Sequence, residues 1–155
     1  MAAFDVDIQL AGLLISTYAI AAAVPSFTLG PVSDLWGRRR LLLIGLAVFA
    51  VGTLLCGLAT SYATMLVFRA MTGAAAGTLS LNITAFIGDY FSYERRGVAM
   101  GMVMSGYFAA MIIGVPIGAY IAEETSWRGA FIAFAGIAVL LWWPVWFTIP
   151  VHEGK

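Results

Sequence analysis

Five apolar runs limit what this chain can fold into more than any other feature does. They occupy roughly residues 8–30, 41–59, 63–88, 97–122 and 129–150, and each holds at least 19 residues. At about 1.5 Å per residue, a helix of that length crosses the ~30 Å hydrocarbon core of a bilayer. None of the runs alternates with period two, which argues against a barrel. Composition agrees, because only 10% of the residues are charged and 62% are hydrophobic, whereas a soluble domain carries about a quarter charged residues. The sequence predicts an all-α, polytopic membrane bundle of five transmembrane helices, with the lipid bilayer as its first partner.

The charges orient the bundle. Arg38, Arg39 and Arg40 follow the first run, Arg95 and Arg96 follow the third, and Lys155 follows the fifth. With successive loops on opposite sides, these residues share one face. The other face has Arg128 beside Asp5, Asp7, Glu123 and Glu124, and Arg69 lies inside a run. The positive-inside rule makes the basic face cytoplasmic. The expectation is a multi-pass protein of the cell inner or plasma membrane, amino terminus outside and carboxy terminus cytoplasmic. An acidic amino terminus without a signal, followed by an odd number of spans, crosses the membrane awkwardly. A preceding helix removes the difficulty.

Much of the charge is concentrated in GPVSDLWGRRR, residues 30–40. Gly30, Asp34, Gly37, Arg38 and Arg39 there match the pattern G-x-x-x-D-x-x-G-R-R, and on that ground the chain resembles the major facilitator superfamily, where this loop joins the second and third helices. Leu35 stands where a basic residue usually follows the aspartate. Further stretches agree in order. LVFRAMTGAAAG, residues 66–77, resembles the fourth-helix motif through Arg69 and Gly73, with Thr72 where glutamine is common. ERRG, residues 94–97, resembles the loop before the fifth helix. GYFAAMIIGVPIGA, residues 106–119, resembles the Gly/Pro-rich fifth-helix motif of the antiporter branches, with Val115 between Gly114 and Pro116. SWRGAF, residues 126–131, is similar to the usual start of the sixth helix.

The resemblance covers nearly the whole chain and implies that residues 1–155 are a partial amino-terminal six-helix half, its spans corresponding to helices two to six. It implies a secondary transporter of the drug/proton antiporter or sugar-efflux type, performing proton-coupled efflux of a small molecule. The first helix and the carboxy-terminal half would be further parts of the complete protein, and this chain is not expected to transport alone. The alternative is a non-transporting membrane module, or a half-transporter that pairs with another chain.

Physical chemistry adds its own reading of the same residues. A charge as deep as Arg69 costs at least a few kcal/mol and normally faces a bundle interior or a water-filled cavity, although it could also snorkel outward. On a helical wheel Gly73, Ala76, Ser80 and Thr84 share its side. By resemblance, Arg69 and Gly73 serve coupling or shape the cavity. Tyr18, Ser26 and Thr28 are the polar members of the first run and either line a cavity or bond only to their own backbone. Asp34, Arg38, Arg39, Asp89, Glu94, Arg95 and Arg96 bring opposite charges to one membrane surface. They form a candidate conformational network, with Gly30 and Gly37 as its loop glycines, or else a set of solvated orientation signals.

The fourth run carries small residues at spacing four, including Gly106, Gly114 and Gly118. Such stripes let helix backbones approach closely. Pro116 removes one backbone donor and should bend the helix near Ile112. By spacing these residues are a tight packing face, and the resemblance implies a role for them in gating as well. Trp142, Trp143 and Trp146 read as anchors at the membrane interface.

An intramembrane enzyme would need a nucleophile with a base, a metal cluster or paired carboxylates within the spans. The chain has one histidine, His152, near its end, one cysteine, Cys56, and no intramembrane acidic pair. No enzyme, metal site or cofactor is expected, and no nucleic acid partner. ATP-driven transport has no support, as no nucleotide-binding motif is present.

Overall fold

The computed structural model describes residues 8–29 and 36–148. Its helices are α1 (Ile8–Thr28), α2 (Arg38–Leu58), α3 (Tyr62–Tyr90), α4 (Tyr93–Glu124) and α5 (Trp127–Thr148). The helices α2 to α5 are each long and apolar enough to cross a membrane. With 21 residues, α1 is of similar length, and its Gly12–Pro25 stretch is apolar. Gly30 and Asp34 lie outside the described residues, as do Asp5, Asp7, His152 and Lys155.

The helices start earlier than the apolar runs. Arg38, Arg39 and Arg40 form the first turn of α2, and Glu94, Arg95 and Arg96 that of α4, so none of them lies in a loop. A helix that continues past the hydrocarbon keeps its backbone groups paired with one another through the interface. Hydropathy marks the edge of the oil, and backbone pairing marks the end of the helix.

The turns are short and specified. Gly37 precedes α2 with φ 83° and ψ 131°, a conformation that a residue with a Cβ rarely adopts. Between α2 and α3, Ser61 and Thr64 form a reciprocal cap: the Ser61 hydroxyl accepts from the Thr64 N–H, and the Thr64 hydroxyl accepts from the Ser61 N–H, both at 3.2 Å. Two orphan donors are satisfied in this way. Links this short make α3 antiparallel to α2, α4 to α3 and α5 to α4.

α3 is the centre of the bundle, packed between α1 and α2, while α2 in turn packs on α5. The α1–α3 contact depends on missing side chains. A Cβ placed on Gly73 would lie 2.3 Å from the Tyr18 carbonyl oxygen, and one on Gly77 would lie 2.0 Å from that of Ala22. Close backbone approach of this kind is what drives helix association where lipid and side chains are equally apolar. Several uncharged polar side chains inside α2 and α3 bond to carbonyls of their own helix. Thr53 donates to the Phe49 carbonyl at 2.7 Å, Thr78 to Ala74 at 2.9 Å, and the fully buried Asn82 to Thr78 at 2.8 Å. The helical-wheel expectation for α3 holds only in part: Gly73 is buried, but Ser80 and Thr84 are exposed. The buried polar stripe runs instead through Thr72, Thr78 and Asn82.

α4 stands apart. Ala99 is its one buried residue among those described. Its second part touches α5, where Gly118 faces the Phe134 ring, but a Cβ at Gly97, Gly101, Gly106 or Gly114 would meet nothing within 4 Å. Gly118 excepted, these glycines therefore have no partner among the described residues. Ala110–Gly114 winds as a π-helix. The missing N–H of Pro116 leaves the Ile112 carbonyl without its usual donor, and a widened turn accommodates the proline ring.

Candidate functional site

At the basic end of the bundle, α2 begins beside the ends of α3 and α5. Arg38 forms an ion pair with Asp89 through its Nε. Arg39 turns the other way: its Nη2 donates to the Trp146 carbonyl oxygen at 2.6 Å, and its guanidinium lies 5.4 Å from the Trp146 ring centroid. Trp142 donates its indole N–H to the Leu43 carbonyl at 3.2 Å. Trp142 and Trp146 thus fasten α5 to α2, in addition to any interfacial role. Arg96 donates to the Phe91 carbonyl at 3.1 Å, so it closes its own turn. Glu94, Arg95 and Arg96 are exposed and form no ion pair among the described residues. Of the residues grouped by sequence, the structure brings together Arg38 and Asp89, and sends Arg39 to Trp146.

A second site lies deeper. Arg69 on α3 lines a cavity of about 320 Å³ with Tyr18, Phe49, Thr53, Cys56 and Phe131. The guanidinium is 4.9 Å from the Phe131 ring centroid and 5.9 Å from that of Tyr18. Ring faces attract a cation and are worth more where water is scarce. Its Nε is nevertheless buried without a hydrogen-bond partner among the described residues. The site holds a positive charge with donors to spare. Such a site can attract a carboxylate, a polarised carbonyl or an anionic ligand group.

Gly73 and Tyr18 share this region, with the Gly73 backbone against the Tyr18 carbonyl. Gly118 also lines the cavity, but Gly106 and Gly114 do not, and Pro116 is exposed on α4. Sequence reasoning missed Phe131 and Cys56 as neighbours of Arg69. Each is an ordinary apolar or small residue in its own helix, and only the packing of α2, α3 and α5 joins them. Among the described residues, no group of three or more His, Cys, Asp or Glu is placed to hold a metal ion.

Comparison with known proteins adds an independent finding. The family model of the Major Facilitator Superfamily matches residues 1–155. The chain is 36% identical over 132 residues to the MFS-type transporter YwfA of Bacillus subtilis (strain 168), covering 85% of this chain and 32% of that protein. It is 30% identical to the efflux pump dotC of Dothistroma septosporum, covering 90% of this chain and 24% of the pump. It is 34% identical to multidrug resistance protein 3 of Bacillus subtilis (strain 168), covering 73% of this chain and 22% of that protein. The chain spans about a third or less of the length of each of these relatives.

Proposed function

The chain belongs to the Major Facilitator Superfamily, and on that premise we propose that it is part of an amino-terminal half of a secondary transporter that carries out proton-coupled efflux of a small molecule. The observation that carries this reading is Arg69: a cation deep in an apolar bundle, facing a cavity, with its Nε unbonded. A charge at this depth is costly even with the Tyr18 and Phe131 rings beside it, and in membrane proteins it marks the substrate or proton pathway. The efflux assignment draws on relatives that are named as an efflux pump and a multidrug resistance protein.

In this reading the basic end faces the cytoplasm. The Arg38–Asp89 pair belongs to the set of contacts made in one conformation and broken in the other, as alternating access requires. α4, with its π-helical turn before Pro116, moves against the second half. The substrate site forms between two halves near the midplane, so these five helices do not transport by themselves.

Cells expressing the complete transporter, as one reading frame or two, provide the test. Preloaded fluorescent cations and neutral drugs should leave faster than from control cells, and a protonophore should abolish the difference. Efflux that persists with the protonophore, or that requires ATP hydrolysis, overturns the coupling.

A further inference from the structure

The packed pair α2 and α5 has two flanks. On one, Leu42 and Leu46 of α2 and Leu141 and Val145 of α5 line an apolar cavity of about 860 Å³ that α3 and α4 also wall. Successive helical positions point about 100° apart, so Arg40, Val51 and Leu54 fall on the other flank of α2, and Val139, Trp143 and Trp146 on the other flank of α5. All six are exposed, and they edge the groove along the outer seam of the two helices. From Arg40 to Val51 the groove runs about 16 Å, the depth of one leaflet of a ~30 Å hydrocarbon core. At the basic end this apolar groove finishes in arginines and tryptophans.

Those arginines lack counter-charges. Arg38 takes Asp89, and no acidic residue stands in the first turn of α2. Arg39 lies over the Trp146 ring and donates through Nη2 to the Trp146 carbonyl, while its Nε has no partner among the described residues. Arg40 is exposed and forms no ion pair among the described residues. Two positive charges therefore head the groove where the amino end of a helix already disfavours cations.

We infer that this groove seats an anionic phospholipid, with its phosphate on Arg39 and Arg40 and an acyl chain along Val51 and Val139. Charge complementarity selects the occupant. A zwitterionic headgroup brings a cation of its own, which the adjacent arginines repel, whereas a headgroup of net negative charge supplies the counter-charge they lack. The guanidinium fork matches two phosphate oxygens, and one juxtamembrane arginine raises the attraction to an anionic lipid about fivefold. The tryptophans suit the same occupant, because an indole is at home at headgroup depth with its ring on apolar chains. Trp143 packs against Phe147 with ring centroids 5.8 Å apart, which fixes one wall of the groove. A soluble anion would satisfy the arginines but leave the apolar length of the groove unused.

The test uses phosphatidylglycerol with a diazirine in one acyl chain, and phosphatidylcholine carrying the same chain. Each is placed at the same low mole fraction in phosphatidylcholine vesicles that hold the complete transporter, and mass spectrometry maps the adducts after illumination. The expected result is that phosphatidylglycerol labels α2 and α5 around Val51 and Val139 at least about fivefold more than phosphatidylcholine does. Arg40→Gln should remove most of that excess. Arg95→Gln, which removes an equal charge beside the cavity on the other flank, should leave it in place. Phosphatidylcholine labelling reports the fold of each variant. Equal labelling by the two lipids, an excess that survives Arg40→Gln, or an equal loss in both variants would each overturn the inference. The readout involves neither substrate nor protons, so it stands or falls separately from the proton-coupled efflux reading.

Discussion

Arg38 and Asp89 form an ion pair that joins the first turn of α2 to the last turn of α3. Each residue sits at the end of its own helix where the macrodipole disfavours its charge, cation at an amino end and anion at a carboxy end. Pairing offsets both penalties. The two side chains are 24% and 57% exposed, and exposed pairs are worth about 0.2–1 kcal/mol. That is too little to hold a fold together, but enough to bias two conformations.

A double-mutant cycle on Arg38→Gln and Asp89→Asn in the complete transporter should therefore give a coupling energy of no more than about 1 kcal/mol. The populations of the two access states should shift by about fivefold or less. Cysteine accessibility from the two membrane faces reads the populations. Additive effects of the two substitutions would remove the pair from the mechanism.

Gly73→Ala and Gly77→Ala should each lower thermal stability in detergent, by about 1–3 kcal/mol, because the added methyl displaces the α1 backbone. Gly88→Ala serves as the control, since a Cβ there meets nothing within 4 Å. Equal melting temperatures for all three variants would contradict the close α1–α3 contact.

Gly37→Ala should cost about 1–3 kcal/mol through backbone strain alone, since Gly37 has the one glycine φ in the left-handed range among the described residues. Circular dichroism melts of the variant and its parent measure the loss. No change would mean that the chain enters α2 by another route.

Arg69→Met should leave the melting temperature unchanged or raise it, because a half-buried charge is removed from an apolar bundle. Coupled efflux should fall at least about tenfold, equivalent to ~1.4 kcal/mol. Arg69→Lys keeps the charge but loses the planar fork of donors, and should restore efflux only in part. A melting temperature that falls sharply, with efflux per folded molecule intact, would make Arg69 a structural residue.

The membrane class and helix number were legible because they depend on local quantities, the length and hydropathy of each run. The missing N–H of Pro116 marked α4 as irregular in the right region, though as a bend and not as the π-helical turn Ala110–Gly114, and the left-handed backbone of Gly37 was not foreseen. Partner choice was not. Arg39 stands next to Arg38 in a run of three arginines, yet one pairs with a carboxylate on α3 and the other with a carbonyl on α5. Successive helical positions point about 100° apart, so neighbours in sequence meet different helices. Ser80 and Thr84 misled for a related reason. A polar face on a wheel does not say whether protein or open space lies opposite, and the small stripe of α4 is open on the side where packing was expected.

The account turns on these helices being a necessary part of a proton-coupled transporter without being sufficient for transport. The most direct measurement is proton flux in proteoliposomes containing a pH-sensitive dye, comparing the complete transporter with the 155-residue chain at equal protein-to-lipid ratio. The prediction is a substrate-driven, protonophore-sensitive pH change from the complete transporter and none from the chain alone. Substrate-driven proton flux from the chain alone, or none from a folded complete transporter with a substrate it demonstrably exports, would contradict it.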